Sequence, residues 1–328
     1  MQQRFAEPRA RRAFVLRLFG SALVLFTLFL LVPFHDIVVA LRRVPLGVWL
    51  GALVAYLLLH LIGVAKWLLL INAAGADLGF FQAVRCYYYG LFGNIFLPSI
   101  IGGDVVRAGL ALKMSRSPSG LLMGSLADRL IDTVGLAAVA GIGALLLPNA
   151  LDQRSRVIFF GIAVVFAVLA LAVLAVWFLL PVVRRVSFRR RRLLVKIRRA
   201  VDSLRRRPAR LVAALLLGML LQGLLVMLNA WLGNSVGIHI SPVVWIFVWP
   251  LAKIAAILPV TQGGIGVREG TLVILFQPFG VPPAAALATG LIFTAVVMIG
   301  GLIGGGLAFL MGRAKGVRRP DSAPVRAS

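Results

Sequence analysis

Cysteine and histidine are scarce in this sequence, and their scarcity excludes several kinds of site. The 328 residues contain one cysteine, Cys86, and three histidines, His35, His60 and His239. A single thiol cannot form an intrachain disulfide, and the three histidines do not follow the ligand spacing of a zinc site. The patterns G-x-x-x-x-G-K-[ST] and H-E-x-x-H are also absent from the chain. We therefore predict no metal, no cofactor and no catalytic residue.

Charged residues are scarce as well: they make up 14% of the chain, whereas hydrophobic residues make up 61%. A soluble domain carries about 25% charged residues, and a bilayer core needs about 20 apolar residues for each helical crossing. The predicted fold class is therefore all-α, in the form of a polytopic membrane protein. We place six full spans at Ala13–Val32, Val48–Ile71, Ser119–Leu147, Val157–Leu180, Leu211–Gly233 and Pro283–Gly312.

Acidic residues are the rarer charged type, with 10 against 35 lysines and arginines, for a net charge of +25. Most of the cations lie in three groups: near the N-terminus, between Arg184 and Arg210, and from Arg313 onward. Cations that flank apolar spans mark the cytoplasmic side of a membrane. We therefore expect both termini in the cytoplasm and the protein in the inner membrane, and this explanation makes nucleic acid unnecessary as a partner.

A single transmembrane domain is expected over residues 13–312. A basic cytoplasmic N-terminus (1–12) precedes it, and a basic, disordered cytoplasmic tail (313–328) follows it. Within the domain, residues 184–210 interleave arginines with apolar residues at helical spacing. We interpret that segment as an amphipathic helix that lies on the anionic cytoplasmic leaflet.

Two apolar segments, 82–114 and 243–279, do not fit as single spans, because each must begin and end on the same side of the membrane. Proline and paired glycines interrupt both, in the shared pattern L-P-x-x-x-G-G-x-x-V-R at 97–107 and 258–268. Irregular backbone at membrane depth needs protein or a water-filled cavity around it. We therefore predict two re-entrant helix hairpins that enter from opposite sides, an arrangement typical of inverted-repeat transporters. The alternative is a chance similarity in a glycine-rich chain.

The residue types at the two breaks suit an anionic ligand. Pro98 lacks an N–H group and ends the preceding helix, and the glycine pairs allow a ligand to approach the backbone closely. A helix that restarts after the glycines presents free N–H groups and the positive end of its dipole, which bind phosphate. Arg107 and Arg268 follow in the first turns, where a guanidinium can grip a phosphate through two hydrogen bonds.

Further charges inside the predicted spans are few and nearly balanced in sign. Asp128 and Asp132 are four residues apart and share a helix face, whereas Arg129 points elsewhere around the helix. Ionisable residues within a membrane are costly and mark function by default, so we expect these three to line or gate a cavity. The alternative is an ion-pair lattice that only holds helices together.

Two other groups of residues have a simple interpretation at the membrane interface. Three lysines could extend their ammonium groups to the interface: Lys66, Lys113 and Lys253. Five aromatic residues are interpreted as an interfacial belt, with a place on the substrate site as the alternative: Tyr87, Tyr88, Tyr89, Trp245 and Trp249. His60 lies on a span, where we expect a neighbouring group to satisfy it.

The chain resembles the transmembrane domain of lysylphosphatidylglycerol synthases over residues 13–312. The similar motifs are Asn94-Ile95-Phe96-Leu97-Pro98, Gly102-Gly103-Asp104 with Arg107, Asp128-Arg129, and Leu258-Pro259 through Gly263-Gly264-Ile265-Gly266-Val267-Arg268-Glu269-Gly270. In two-domain members of that family the membrane part moves aminoacylated phosphatidylglycerol between leaflets, and a cytosolic domain makes it. Because only residues 313–328 follow the last predicted span, the resemblance implies lipid translocation without aminoacyl transfer.

We therefore predict a flippase-like transporter, not an enzyme, for a phosphate-containing lipid; plain, aminoacylated and glycosylated forms of that lipid are all compatible with the sequence. The predicted substrate-binding residues are Asn94, Pro98, Gly102, Gly103, Asp104, Arg107, Asp128, Arg129, Asp132, Gly263, Gly264, Gly266, Arg268 and Glu269. Membrane lipids are the predicted partners, and a homodimer or a lipid-synthesis enzyme partner is compatible with the sequence. The alternatives are an accessory protein or enzyme of glycolipid, hopanoid or aminoacyl-phospholipid synthesis, and a structural scaffold.

Overall fold

Helices make up all the regular structure in the described part of the chain. The computed structural model describes residues 32–97, 102–147, 201–256 and 264–316, together with positions 19, 23, 26–28, 30, 199 and 261. The helices are α1 (Phe34–Arg42), α2 (Leu46–Ala73), α3 (Phe80–Phe96), α4 (Gly102–Leu112), α5 (Pro118–Leu145), α6 (Pro208–Ser235), α7 (Pro242–Ala255), α8 (Val267–Phe276) and α9 (Pro283–Gly316). A 3₁₀ turn, Gln277–Phe279, joins α8 to the segment before α9.

Three of these helices are long and apolar enough to cross a membrane: Leu46–Ala73, Pro208–Ser235 and Pro283–Arg313. A helix of 28 residues is about 42 Å long, which exceeds the roughly 30 Å of a hydrocarbon core. Large aliphatic side chains such as Leu58 and Leu216 are largely exposed on their outer faces, as lipid contact requires. The prediction of an all-helical polytopic membrane protein is confirmed at this level.

The predicted spans differ in how far the structure tests them. Those placed within α2, α6 and α9 coincide with the three apolar helices. The span at Ser119–Leu147 coincides with α5, which is equally long but carries the three charged residues Asp128, Arg129 and Asp132. The span at Val157–Leu180 lies outside the described residues, as does most of the span at Ala13–Val32. The count of six spans therefore stays a prediction.

Proline and serine mark where the helices begin. α5 begins with Pro118 at its first position, and the Ser117 side chain accepts a hydrogen bond from Gly120 N at 3.1 Å. α7 begins in the same way, with Ser241 as the cap and Pro242 next. The first N–H groups of a helix have no acceptor within the helix. Proline at the first position has no such N–H group, and the serine side chain accepts a hydrogen bond from one of the remaining N–H groups.

Several helix ends meet at one end of the bundle, which we call the basic end. The hydroxyl of Ser203 donates to Ala73 O at 2.7 Å, beside the end of α2. The N–H of Arg116, just before α5, donates to Ala76 O at 3.1 Å, just before α3. Exposed arginines gather here: Arg116, Arg205, Arg206, Arg207 and Arg210. α6 runs away from this end, since Trp231 near its far end packs on Gly51 near the start of α2.

Two helix pairs start at opposite ends of the bundle; we call α3 with α4 the first hairpin and α7 with α8 the second hairpin. α3 starts at the basic end, and α4 returns to it after the break that follows Leu97. The two helices touch closely, because a Cβ on Gly90 would lie 2.8 Å from Gly103 O. α7 starts at the opposite end and packs against α8, which follows a second break. Gly264 lies in that break with a φ of +77°, a conformation that favours glycine.

The amphipathic helix predicted at 184–210 lies mainly outside the described residues. Its final part, 201–205, is helical. There Val201 and Leu204 of the predicted apolar stripe are buried, while Arg205 is exposed. This part therefore has the two-faced pattern that the sequence indicates, although its apolar face packs on protein at the end of α2.

The interpretation of Trp245 and Trp249 as interfacial aromatics is wrong. Each is 1% exposed and buried inside the bundle. The Trp245 ring lies 4.7 Å from the Phe276 ring, and the Trp249 ring lies 4.8 Å from the Phe293 ring. Both rings face inward because α7 is enclosed by α5, α6 and α8.

Candidate functional site

A cavity of about 440 Å³ lies between the helix pairs α3–α4 and α7–α8. Residues from both sides of each break reach it, including Asn94 and Gly103 from the first hairpin and Ala256 and Ile265 from the second. Its remaining wall comes from α2, α5, α6 and α9. Six charged side chains line it: Asp104, Arg107, Arg129, Asp132, Lys253 and Arg268.

Arg107 is one of the two arginines on the shared motif, and it is held tightly. Its Nη2 atom lies 2.6 Å from Asp128 Oδ2 and 3.0 Å from Asp104 Oδ1. The guanidinium also lies between two aromatic rings, 5.0 Å from the centre of the Trp67 ring and 4.9 Å from that of Tyr87. The residue is only 5% exposed. Ion pairs and aromatic contacts together fix this cation in one position.

Asp128 is the centre of a wider ion-pair lattice. Its Oδ1 atom lies 2.8 Å from Nζ of Lys66 on α2, and Lys66 also contacts Asp132. Arg129 joins through Asp104, with Nη2 of Arg129 2.6 Å from Oδ2 of Asp104. Three carboxylates and three cations therefore balance one another across α2, α4 and α5.

The lattice settles two expectations about single residues. Asp128 and Asp132 do share a helix face, as their spacing predicts, because both reach the same Lys66 ammonium group. The expectation that Lys66 extends to the membrane interface is wrong, since its side chain is 1% exposed. The two carboxylates hold the ammonium group inside the bundle, where they offset its loss of hydration.

Arg268 occupies the corresponding place on the second hairpin, with a more local set of partners. Its Nη2 atom lies 2.7 Å from Oε1 of the adjacent Glu269 and also donates to the Thr294 hydroxyl of α9. Its guanidinium lies 5.8 Å from the Trp249 ring centre and 5.2 Å from that of Phe293. Each motif arginine is therefore flanked by two aromatic rings and paired with acid.

The helix that follows each break has one N–H group occupied by a side chain of the protein. Gly103 N donates to Asn94 Oδ1 at 2.6 Å. Gly266 N, at a φ of +89°, donates to Oε2 of Glu269 at 2.6 Å. Glu269 is fully buried, and its carboxylate accepts hydrogen bonds both from the start of α8 and from Arg268. These two N–H groups already have acceptors, which makes the arginines the stronger candidates for contact with an anion.

Lys253 is a cavity residue that the sequence prediction did not include in the site. It lies on α7, and its Nζ donates to Gln222 Oε1 at 2.9 Å. Within the described ranges, no carboxylate lies within ion-pair distance of this ammonium group. Its position inside a predicted membrane segment, five residues before Leu258-Pro259, is the signal that could have placed it in the site.

The predicted site residues fall into three groups. On the cavity wall are Asn94, Gly103, Asp104, Arg107, Arg129, Asp132 and Arg268. Behind the wall or in the backbone of the breaks are Gly102, Asp128, Gly264, Gly266 and Glu269. Pro98 and Gly263 lie outside the described residues. The structure also brings in Tyr87 and Trp249 on the cavity wall, and Trp67 behind Arg107.

One comparison with known proteins bears on this arrangement. A protein-family model described as "Lysylphosphatidylglycerol synthase TM region" matches residues 14–305, which is most of the chain. The match spans both helix breaks and all the charged residues of the cavity. No curated protein matches the chain.

Proposed function

The chain belongs to the lysylphosphatidylglycerol synthase TM region family, and from that premise we propose that it moves a phosphate-containing lipid between the leaflets of its membrane. The family is a membrane domain linked to lipid modification or translocation. Translocation needs a polar headgroup to pass through an apolar medium, and therefore a polar cavity within a membrane-embedded bundle. A cavity lined by charged side chains, between two interrupted helix pairs, meets that need.

The single observation that carries the proposal is the meeting of the two hairpins' cations on one cavity. Arg107 comes from the hairpin that starts at the basic end, and Arg268 comes from the hairpin that starts at the opposite end. Lys253 lies on the same wall. A phosphate in this cavity would contact hydrogen-bond donors from both hairpins. As the lipid moves from one leaflet to the other, the phosphate could pass from the donors of one hairpin to those of the other.

Unused hydrogen-bond donors support a phosphate as the ligand. In the described part of the chain, Arg107 Nε and Trp249 Nε1 are buried and have no acceptor. Both residues line the cavity. Buried donors are almost always paired in folded proteins, and phosphate oxygens would supply the acceptors here.

We also propose that α3–α4 and α7–α8 are re-entrant hairpins, related as an inverted repeat, within one transmembrane domain. Their entry from opposite ends of the bundle supports this arrangement. The exposed arginines of the basic end favour a cytoplasmic location for that end, and with it cytoplasmic termini in the inner membrane.

Replacement of Arg268 tests the function. We expect Arg268→Ala to reduce transport to the level of empty vesicles, because the second hairpin loses its guanidinium. The measurement is leaflet exchange of acyl-labelled phosphatidylglycerol in proteoliposomes, read as the fraction of label that dithionite reaches. The double variant Arg268→Ala/Glu269→Gln removes both charges of the pair, so it guards against a folding defect from a lone buried carboxylate.

Arg116→Ala is the matched control, since Arg116 is an exposed arginine that does not line the cavity. Its exchange rate should equal that of the wild type. Normal leaflet exchange by a folded Arg268→Ala protein would contradict the proposed function.

A further inference from the structure

The described charges around the cavity do not balance, and the surplus can be assigned to one residue. Four carboxylates are present, and each contacts a cation: Asp104, Asp128, Asp132 and Glu269. Their cationic partners are Lys66, Arg107, Arg129 and Arg268. Lys253 is the fifth cation, and the sequence between Leu97 and Gly102 and between Ala256 and Gly264 contains no ionisable side chain.

Lys253 contacts a hydrogen-bond acceptor in the described residues but no counter-charge. Its contact at 2.9 Å is with the neutral amide oxygen of Gln222, itself 5% exposed. The Asp132 carboxylate also lines the cavity, but it is engaged by Lys66. An ammonium group in a low-dielectric site without a counter-charge is costly. An anion in the cavity would remove that cost.

We infer that the lipid bound in this cavity carries one net negative charge, as a singly ionised phosphodiester with an uncharged headgroup, and that Lys253 is its counter-ion. This inference rests on the proposed function and specifies its substrate class. Arg107 and Arg268 donate hydrogen bonds to the phosphate, but their charges are already balanced by acid. Lys253 supplies the one charge that the phosphodiester neutralises.

The same balance of charges around the cavity disfavours aminoacylated and zwitterionic lipids. Their ammonium groups need an acceptor with negative charge, and every described carboxylate at the cavity is already paired. A lysyl headgroup would add cations to a site that has a cation in surplus. Like charges placed close together within a protein repel each other.

The apolar part of the wall favours a lipid over free phosphate. Leu91, Ile95, Leu221, Leu225 and Val297 all line the cavity. A free phosphate ion would gain nothing from these side chains, whereas the glycerol and the first methylenes of a lipid would bury against them.

The test compares headgroups and a charge-removing variant in the same vesicles. Wild type, Lys253→Met and Lys253→Arg are reconstituted with acyl-labelled phosphatidylglycerol, phosphatidylethanolamine or lysyl-phosphatidylglycerol, and leaflet exchange is measured for each. We expect wild type to move phosphatidylglycerol about tenfold faster than either of the others. Lys253→Met should lose that preference, and Lys253→Arg should keep it. Lys113→Met, at an exposed lysine, should behave as wild type.

A second readout keeps the inference separate from the proposed function. Lys253→Met should unfold at a higher temperature than the lipid-free wild type in detergent, because it removes a half-buried charge that no described carboxylate pairs with. Native mass spectrometry should show phosphatidylglycerol retained by the wild type and lost from Lys253→Met, without competition from millimolar inorganic phosphate.

The outcomes differ for the two proposals. If the wild type moves none of the three lipids yet retains phosphatidylglycerol through Lys253, transport is wrong and the charge assignment stands. If transport is present but lysyl-phosphatidylglycerol is preferred, or if Lys253→Met keeps the wild-type preference, the charge assignment is wrong. Displacement of the lipid by inorganic phosphate would identify a free anion as the ligand and would also overturn it.

Discussion

The two motif arginines have similar surroundings but are supported by different parts of the protein. Each lies between two aromatic rings and contacts a carboxylate. The carboxylates of Arg107 come from α4 and α5 and connect onward to Lys66 of α2. The carboxylate of Arg268 is its neighbour Glu269, and its contact beyond α8 is the Thr294 hydroxyl. The first arginine is thus part of a lattice that joins three helices, and the second is held locally.

This difference indicates different tasks within one site. A lattice of six charges has many contacts to break and therefore resists movement. A local pair can follow its own short helix if the second hairpin shifts. We expect the Arg107 side to anchor the structure of the cavity and the Arg268 side to be the one that adapts to the ligand.

The largest effect is expected at Asp128. Asp128→Asn leaves Lys66 and Arg107 without their shared carboxylate, and breaking a buried pair costs about 3–5 kcal/mol. Thermal unfolding in detergent, followed by tryptophan fluorescence, measures the loss. Glu269→Gln is the counterpart on the second hairpin; because Glu269 contacts one cation whereas Asp128 contacts two, we expect a smaller loss.

Asp77→Asn is the control for Asp128→Asn. Asp77 pairs with Arg116 at 2.7 Å, but both side chains are more than half exposed, so its removal should cost about 1 kcal/mol or less. Equal losses from Asp128→Asn and Glu269→Gln would contradict the distinction between lattice and local pair.

An intermediate effect is expected from Gly103, where the first hairpin closes. A Cβ at Gly103 would lie 2.5 Å from the Asn94 side-chain oxygen and close to Gly90 O. Gly103→Ala should therefore destabilise the protein by about 1–3 kcal/mol, the usual cost of overpacking. The unfolding midpoint of the purified protein measures this.

Gly109→Ala, on the same helix, has open space for its Cβ. Alanine is favoured over glycine in a helix by about 0.5–1 kcal/mol, so this variant should be neutral or more stable. If the two alanine variants had the same unfolding midpoint, close packing of the first hairpin would be excluded as the reason why position 103 is a glycine.

The smallest effect is expected at Thr294. Thr294→Val removes the hydroxyl that accepts from Arg268 and donates to Glu269 Oε1 at 2.8 Å, at a cost of about 1 kcal/mol. Thr133→Val is matched to it, since Thr133 also lines the cavity but bonds to a backbone oxygen of its own helix. Only Thr294→Val should slow leaflet exchange. An equal effect of the two variants would remove Thr294 as a positioning residue for Arg268.

Much of the fold could be predicted because it depends on local patterns. Long apolar stretches predict α2, α6 and α9, and proline with paired glycines predicts that α3 and α7 end early, at Phe96 and Ala255. The i to i+4 spacing of Asp128 and Asp132 correctly places them on one face. These features follow from helix geometry and from the length needed to cross a bilayer.

The site could be predicted only in part, because its contacts join residues far apart in the chain. Lys66 meets Asp128 and Asp132 across two helices; taken alone, it has the pattern of a lysine that extends to the interface. Arg129 and the adjacent Asp128 point in different directions around α5. Arg129 forms an ion pair with Asp104 because α4 packs on α5. No spacing rule predicts such pairings.

The amino-acid sequence alone determined that this protein is a helical membrane protein with two interrupted segments and a few charges within them. Hydrophobicity and helical periodicity act within one segment, so they can be seen without knowledge of its neighbours. The tertiary structure decided which of those charges cancel. It pairs four cations with four carboxylates and leaves Lys253 facing the cavity, because ion pairing depends on distances between helices, and packing alone sets those distances.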